Sequence, residues 1–350
     1  MAYTTINKSK LHQNTMIYTG DDGTRNITET GTFQADWVWI KRRNSTSDHY
    51  LVDAVRGATK AINSNTNAAE ATHANGVTGF VSDGFSLGGQ SGYNNTGDTF
   101  VAWTWKANGA GSVDSSTGSI SATVSANTTA GFSIIKFTNP ASGSFTIPHG
   151  LGVVPDMLWF KCTAGVQSWF VLHKDLANFT DRYLRLQTDV AQITYSMQTS
   201  APTSTLLYLN SGGVSNAGAE TICYAFASKT GYSKFGKYVA NQNSNGTFTY
   251  TGFKPKFVMI KRFSDTGNWV MQDNKRSTSG GANPNDDWLY ANNNDAEYDA
   301  GSYPLDMISN GFKIRHGNGS YQNEPSGAEY LYMAFGQTLV GSNNIPCTAR

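Results

Sequence analysis

Residues that commonly carry catalysis are present, but their arrangement does not indicate a catalytic site. The sequence GFSLG at residues 84–88 has the Gly-x-Ser-x-Gly spacing that can place a nucleophilic serine on a sharp turn. However, DGFSL at 83–87 recurs as NGFKI at 310–314 with lysine in place of the serine, so we interpret it as part of an internal repeat. There is no His-Glu-x-x-His sequence that would hold zinc on a helix. The 6 histidines are scattered singly, and Cys162, Cys223 and Cys347 lack the spacing of a zinc site. We therefore predict a protein without catalytic residues, metal or cofactor.

Four carboxylates offer the best case for chemistry. Asp286, Asp287, Asp295 and Asp299 lie in a stretch rich in Gly, Asn and Asp. Cleavage of a glycosidic bond needs two carboxyl groups roughly 5–10 Å apart, so a polysaccharide depolymerase stays an alternative. The same oxygens suit Ca²⁺, but the stretch lacks the regular ligand spacing of a calcium loop. We favour the interpretation that this is a solvated acidic loop.

Aromatic residues in the same stretch suit binding better than catalysis. Exposed aromatic rings stack on sugars, and neighbouring amides and carboxylates hydrogen-bond the sugar hydroxyls. A loop that departs from its sister repeats is also where binding function concentrates. We predict that Asp286 and Asp287 contact a glycan or receptor together with the aromatic residues of the stretch. Those aromatic residues are Trp288, Tyr290, Tyr298 and Tyr303.

Composition excludes several classes of protein. The 350 residues include 26 Lys+Arg and 25 Asp+Glu, which leaves a net charge of +1. A chain this neutral gains little from counterion release, so nucleic-acid binding is disfavoured. Intrinsic disorder is disfavoured because 12% of the residues are aromatic. The 36 glycines, with abundant Ser, Thr and Asn, instead indicate short strands joined by many turns.

The three cysteines rule out a dense disulfide framework. The first residues carry no basic region followed by an apolar run, so the sequence predicts no signal peptide. Eighteen apolar residues never run together, so we expect no membrane insertion. These features predict a soluble protein that is synthesised in the cytoplasm.

A strand-like motif occurs three times along the chain. The sequence DWVWIK at residues 36–41 recurs as DMLWFK at 156–161 and as KFVMIK at 256–261. A second motif begins 64 to 74 residues after the start of each copy: FVAWTW at 100–105, TICYAF at 221–226 and YLYMAF at 330–335. A fixed order of motifs at nearly constant separation is the signature of internal repeats. We therefore divide the chain into three modules.

The repeated motifs predict buried strands. Each first motif is apolar on both faces of the strand. We therefore expect one face to pack against the core of its own module and the other face to pack against a neighbouring module or a loop. Other segments, such as residues 120–124 and 248–253, alternate as half-buried strands do. The aromatic residues of the motifs are expected in the core. They are Trp37, Trp39, Trp105, Trp159, Phe226, Phe257 and Phe335.

These observations predict an all-β fold of three repeated antiparallel β-sandwich modules with a jelly-roll-like form. A propeller-like closure of the three repeats is the alternative. We assign residues 1–15 to an N-terminal arm and 16–106 to module 1. Residues 107–131 form a Gly/Ser/Thr-rich linker with one strand, 132–228 form module 2, and 229–350 form module 3 with the long Asn/Asp-rich loop and a C-terminal tail.

The repeats resemble a known family of viral proteins. The segments that carry the resemblance are residues 16–20, 33–41, 55–60, 82–87, 92–105, 125–133, 149–152, 231–236 and 344–350. Together they are similar to repeat-bearing virion proteins of tailed bacteriophages, especially marine and cyanobacterial ones, described as tail-fibre-like or as structural proteins. Module 2 departs most, since Cys162 stands where Arg42 and Arg262 follow the other copies of the first motif.

The resemblance implies a location on the virion exterior, at the tail or capsid, after synthesis in the bacterial host. It also implies other virion proteins as partners and a homo-oligomer, with a trimer suspected. The leading hypothesis is a non-enzymatic tail-fibre-like protein that contacts a host-surface glycan or receptor through loops. Two alternatives remain: a capsid decoration or tail-scaffold protein that binds only virion subunits, and the depolymerase.

Overall fold

The computed structural model describes residues 4–277, 283–299, 304–317 and 322–337. In these ranges the regular structure is almost wholly β, with one short helix at Ser91–Asn94 and a 3-10 turn at Ser9–Leu11. No helix in the described ranges is long and apolar enough to cross a bilayer. The predicted all-β fold is confirmed.

Module 1 consists of two antiparallel sheets and a small ribbon. The main sheet has the order β1-β9-β3-β4, the minor sheet has the order β2-β8-β7, and β5 pairs with β6. The strands are β1 (Gln13–Thr19), β2 (Arg25–Thr28), β3 (Trp37–Arg42), β4 (Tyr50–Asp53), β5 (Lys60–Ala61), β6 (Ala71–Thr72), β7 (Val77–Val81), β8 (Gly84–Leu87) and β9 (Thr99–Trp105).

Module 2 repeats this plan and adds two strands at one edge. Its main sheet has the order β10-β11-β12-β20-β14-β15, its minor sheet has the order β13-β19-β18, and β16 pairs with β17. The strands are β10 (Ser112–Asp114), β11 (Ala122–Asn127), β12 (Phe132–Thr138), β13 (Ser144–Pro148), β14 (Met157–Cys162), β15 (Phe170–His173), β16 (Arg182–Tyr183), β17 (Ile193–Thr194), β18 (Gln198–Ser200), β19 (Leu206–Asn210) and β20 (Glu220–Phe226).

Module 3 has the same plan with the extra strands at the opposite edge. Its main sheet has the order β21-β29-β23-β24-β25-β26, and its minor sheet has the order β22-β28-β27. The strands are β21 (Ser233–Val239), β22 (Phe248–Tyr250), β23 (Lys254–Arg262), β24 (Trp269–Asp273), β25 (Asp287–Tyr290), β26 (Tyr298–Asp299), β27 (Leu305–Ile308), β28 (Gly311–Ile314) and β29 (Glu329–Gln337).

The two repeated motifs are neighbouring strands at the centre of each main sheet. Trp37 pairs with Trp105 in module 1 and Met157 pairs with Phe226 in module 2. The same register places Phe257 opposite Phe335 in module 3. The constant separation of the motifs in the sequence therefore reflects one strand pairing that is built three times.

The first-motif strands are covered on both faces, as their composition predicts. Val38 and Ile40 point into the core between the two sheets of module 1. Trp37 and Trp39 point to the other face, where they join a core cluster with residues of all three modules. We call this cluster the shared core. The prediction of module core on one side and a neighbour on the other is confirmed.

Aromatic side chains fill the shared core. It contains seven of the 8 tryptophans, all except Trp288. Every pair of modules is in ring contact there: Trp37 stacks on Tyr224 with centroids 4.5 Å apart. Trp105 lies 5.7 Å from Phe335, which lies 6.4 Å from Phe226. The three main sheets thus surround one common centre.

Three equivalent loops close the modules into a ring. These bridging loops are residues 63–70, 185–192 and 291–297, and each lies against the next module. The carbonyl of Asn67 accepts from Gln167 N–H at 2.9 Å, and that of Asp189 accepts from Gly267 N–H at 2.7 Å. Asn294 O accepts from Ser47 N–H at 2.9 Å. This head-to-tail contact returns from module 3 to module 1, so the ring is closed within one chain.

Two segments outside the sequence-based modules contribute to the packing. Within the expected N-terminal arm, Ile6 is 2% exposed and lies in the shared core. The expected linker supplies β10 and β11; β11 pairs with β12 and β10 pairs with β11, so the two strands extend the main sheet of module 2. Few apolar residues occur in these segments, and they pack because the neighbouring sheets offer an apolar face and a free strand edge.

Candidate functional site

Two of the aromatic residues predicted to contact a glycan are buried. Trp288 is 2% exposed and Tyr290 is 6% exposed. Both lie on β25, which pairs with β24 and extends the main sheet, so that Val270 packs against the two rings. The expectation that these rings are exposed is therefore wrong. The added strand gives the rings an apolar face to cover, which the surrounding Asn and Asp residues do not reveal.

The rest of the predicted contact set is divided between surface and interior. Tyr298 is 37% exposed, stacks on Trp288 at 5.3 Å, and donates a hydrogen bond from its hydroxyl to Asp295. Asp287 is buried, whereas Asp286 is half-buried. Tyr303 lies outside the described residues. The structure thus brings Trp288, Tyr290 and Tyr298 together, but of the three only Tyr298 is exposed to a ligand.

Three buried lysines occupy equivalent positions at the ends of the first-motif strands. Burial lowers the pKa of Lys261 to about 7 and the pKa of Lys41 and Lys161 to about 8. An amine with a lowered pKa is a recognised nucleophile. Here the amines donate hydrogen bonds to backbone carbonyl groups: Lys261 Nζ donates to Asp189 O at 2.9 Å, and Lys161 Nζ donates to Asn67 O at 3.2 Å.

These lysines are structural residues of the ring that the sequence analysis missed. Two of them bind the bridging loop of the preceding module. The signal was present in the sequence, because Lys ends all three copies of the first motif. A lysine at the end of a fully apolar strand indicates a charge that is buried together with backbone acceptors.

The outer strand of the minor sheet in module 3 carries a pair of exposed aromatic rings. Phe248 is 44% exposed and Tyr250 is 54% exposed, while Thr249 between them is buried. Alternate residues of a strand lie on one face about 7 Å apart. Lys234 Nζ lies 5.2 Å from the centroid of the Tyr250 ring and donates to Tyr250 O at 2.8 Å. We call Lys234, Phe248 and Tyr250 the aromatic platform.

The aromatic platform is specific to module 3. Tyr250 pairs with Gly311, and in module 1 the equivalent glycine, Gly84, pairs with Thr28. Asn26 takes the position of Phe248 by the same register. The equivalent strand of module 2, β13, begins with an exposed serine. The equivalent strands of the other two modules form without such rings, so the fold does not require them. A role in binding is consistent with their exposure.

The sequence analysis treated this strand only as a structural element. The alternation of residues 248–253 predicts a half-buried strand, and the burial of Thr249 between Phe248 and Tyr250 confirms it for β22. The signal for a site was that the outward residues of that alternation are aromatic rather than polar. Aromatic rings that face solvent in pairs offer a flat apolar surface, with a hydroxyl at its edge, for stacking on sugar rings.

Comparison with known proteins places the chain in a family without adding a function. A family described as a domain of unknown function, DUF7483, matches residues 8–338. The chain belongs to this family. No curated protein and no solved structure matches the chain. In the described residues no group of three or more His, Cys, Asp or Glu side chains is arranged to hold a metal ion.

Proposed function

We propose that this DUF7483 protein is a non-enzymatic structural protein on the exterior of a tailed-bacteriophage virion, where it contacts host-surface glycan. The observation that carries the glycan contact is the pair of exposed rings, Phe248 and Tyr250, on an outer strand of module 3. The virion location rests on the resemblance of the repeats to phage virion proteins. Its partners there are other virion proteins.

The platform suits a sugar because it combines flat apolar surface with few charges. A pyranose presents one apolar face of C–H groups, which packs against an aromatic ring, and hydroxyls at its rim. Lys234 beside Tyr250 adds a hydrogen-bond donor. Two rings about 7 Å apart suit successive residues of an oligosaccharide. The ring of modules supports this binding as a rigid base, because the platform strand pairs along β28.

The test is binding of the labelled protein to intact host cells with and without enzymatic removal of surface glycans. We expect binding that is lost when the glycans are removed. The double variant Phe248→Ser/Tyr250→Ser is expected to bind at least about tenfold more weakly, because each ring loses apolar contact with a sugar face that contributes on the order of 1 kcal/mol.

Tyr195→Ser is the matched control, because Tyr195 is also half exposed, at 51%, and lies in module 2. It should bind as the wild type does. Equal loss in the control and the double variant would contradict a role for the platform. Absence of binding to both cell samples would contradict host attachment.

A capsid decoration or tail-scaffold role is the second candidate, and exposed valines of module 2 favour it. Val113 on the edge strand β10 and Val166 are each 69% exposed, and Val154 is 51% exposed. Apolar side chains on an open strand edge suit contact with another protein subunit. Copy number per particle separates the two functions: hundreds of copies indicate decoration, and a few dozen or fewer indicate a tail component.

A further inference from the structure

A cleft of about 360 Å³ lies between modules 1 and 3, and no residue of the platform strand β22 lines it. Its walls come from the start of β1, the turn before it and the segment after β2 on one side, and from β23 and the turn after β24 on the other. The lining residues are Lys10, Gln13, Asn14, Thr15 and Thr30 of module 1, with Lys256, Asn274 and Lys275 of module 3.

The cleft is basic. Three of its lining residues are lysines, and none is Asp or Glu. Lys10 and Lys275 are exposed and form no ion pair with a carboxylate of the described ranges. Lys256 Nζ donates to Ser9 Oγ at 3.3 Å. In a protein with a net charge of +1, three lysines in one cleft are a local excess that favours an anion.

The walls also offer neutral hydrogen-bonding groups. Gln13, Asn14 and Asn274 contribute amides, and Thr15 and Thr30 contribute hydroxyls. Thr15 is 6% exposed, and its Oγ1 has no hydrogen-bond partner in the part of the chain that the structure describes. A buried hydroxyl without a partner costs free energy unless something binds it. This hydroxyl therefore points to a polar ligand at the back of the cleft.

One carboxylate lies behind the wall. Glu29 is buried, and it accepts a hydrogen bond from Asn14 Nδ2 at 2.7 Å and another from the Thr104 hydroxyl. These contacts orient Asn14, so that its amide oxygen and the neighbouring Thr30 hydroxyl define the wall. Glu29 itself does not line the cleft.

We propose that the cleft binds an anionic saccharide, with the negative group among Lys10, Lys256 and Lys275 and the sugar hydroxyls on the amides and Thr15. Its volume lies at the lower end of the range for small-ligand pockets, which suits one or two sugar residues. The mixture of amides and lysines distinguishes the cleft from a simple anion site, because sugar hydroxyls can donate hydrogen bonds to the amide oxygens as well as accept them, whereas a fully ionised inorganic anion only accepts. This site shares no residue with the aromatic platform, so its test is independent of the proposed function.

The experiment compares glucuronate with glucose, two sugars that differ in a carboxylate at one carbon, by ligand-observed NMR titration of the full chain. We expect glucuronate to bind and glucose to bind at least about tenfold more weakly. Lys10→Glu and Lys275→Glu should each weaken glucuronate binding about tenfold, since each replaces an attraction with a repulsion. Thr15→Val should weaken it severalfold through loss of the buried hydroxyl.

Lys8→Glu is the matched control, since Lys8 is exposed in the same segment, does not line the cleft and changes the net charge equally. Undiminished glucuronate binding in Lys8→Glu together with loss in Lys10→Glu supports the site. Equal loss in both variants would show a long-range charge effect and overturn it. Absence of glucuronate binding, or inorganic phosphate binding as tightly as glucuronate, would also overturn the saccharide assignment.

Discussion

Glu29 illustrates how a polar residue is placed inside this protein at a cost in free energy. Burial raises the pKa of its carboxyl group to about 7, from an ordinary value of 4.5. The hydrogen bonds from Thr104 and Asn14 lower the pKa but do not balance the loss of hydration. Between pH 4.5 and 7 the native protein retains a proton that the unfolded chain releases. Stability therefore falls as the pH rises through this window.

Glu29→Gln should remove this pH dependence. A glutamine keeps one acceptor for Asn14 and can donate a hydrogen bond to the Thr104 hydroxyl. That hydroxyl can in turn donate to Asn14 O, which lies 3.4 Å away. We expect the variant to exceed the wild type in free energy of unfolding at pH 8 by on the order of 2 kcal/mol, and to match it near pH 4.5. Urea unfolding of the variant and of the wild type at pH 8 and at pH 4.5 measures these differences in the free energy of unfolding.

Glu220→Gln serves as the control, because the Glu220 side chain is 44% exposed beside Lys136. It should change stability by less than about 1 kcal/mol at either pH. A Glu29→Gln variant that is less stable than the wild type at pH 8 would show that the ionised carboxylate stabilises the fold.

At the scale of elements, buried ion pairs join the strands to the bridging loops. Arg276 Nε donates to Asp273 Oδ2 and Arg276 Nη1 donates to Glu297 Oε2, each at 2.6 Å. Glu297 also accepts from Arg43 of module 1 at 2.5 Å. The corresponding pair in module 1 is Arg56 with Asp53. Each pair fixes the turn after a main-sheet strand and the loop that reaches the next module.

Module 2 lacks this pair, although its strand has the same place in the ring. His173 and Leu176 stand where the other two modules have Asp and Arg. Burial lowers the pKa of His173 to about 3, so this histidine is neutral and needs no counter-charge. One of the three junctions is therefore held by neutral side chains, and the ion pairs are not a requirement of the fold itself.

Arg276→Leu should destabilise the protein by about 3–5 kcal/mol, because it leaves the carboxylate of Asp273 buried without its cation. Chemical denaturation measures the loss. Lys237→Ala is the comparison, since the Lys237–Glu329 ion pair lies at the surface with both side chains more than a third exposed. That variant should lose less than about 1 kcal/mol. Similar losses in the two variants would contradict a specific contribution of the buried pair.

At the scale of the whole molecule, the three modules depend on one another. In the described residues, the face of each main sheet that carries Trp37, Trp159 or Phe257 packs against the other two modules within the shared core, to which Ile6 of the N-terminal arm also belongs. A single module in isolation would expose this aromatic face to water. The head-to-tail contact is already closed within the chain. The ring is therefore complete in a single chain. The trimer that the phage resemblance implies stays a prediction, and closure of the ring does not require it.

The shared core predicts one cooperative unfolding transition for the three modules. Seven tryptophans report on that core, so fluorescence should follow its loss. We expect the fluorescence transition to coincide with the loss of β structure in circular dichroism. Residues 107–228 expressed alone should fail to give a folded monomer. Separate transitions, or a folded monomeric fragment, would show that each module is stable by itself.

The sequence alone determined the class of fold and the position of the central strands. The motif copies 36–41, 156–161 and 256–261 are apolar at all four of their central positions, which lie on both faces of the strand, and only burial on both faces stabilises such strands in water. The regular alternation around Thr249 likewise determined the strand that carries the platform. Both are local patterns, which a single sequence displays in full.

Only the tertiary structure decided which aromatic residues face solvent and how the modules meet. Trp288 and Phe248 both stand near turn-forming residues, yet β24 and its neighbours cover Trp288 while β22 lies at a sheet edge with Phe248 outward. The cleft joins Lys10 to Lys256 and Lys275, which are about 250 residues away in the chain. Exposure and long-range proximity depend on the packing of distant strands, and no local pattern records that packing.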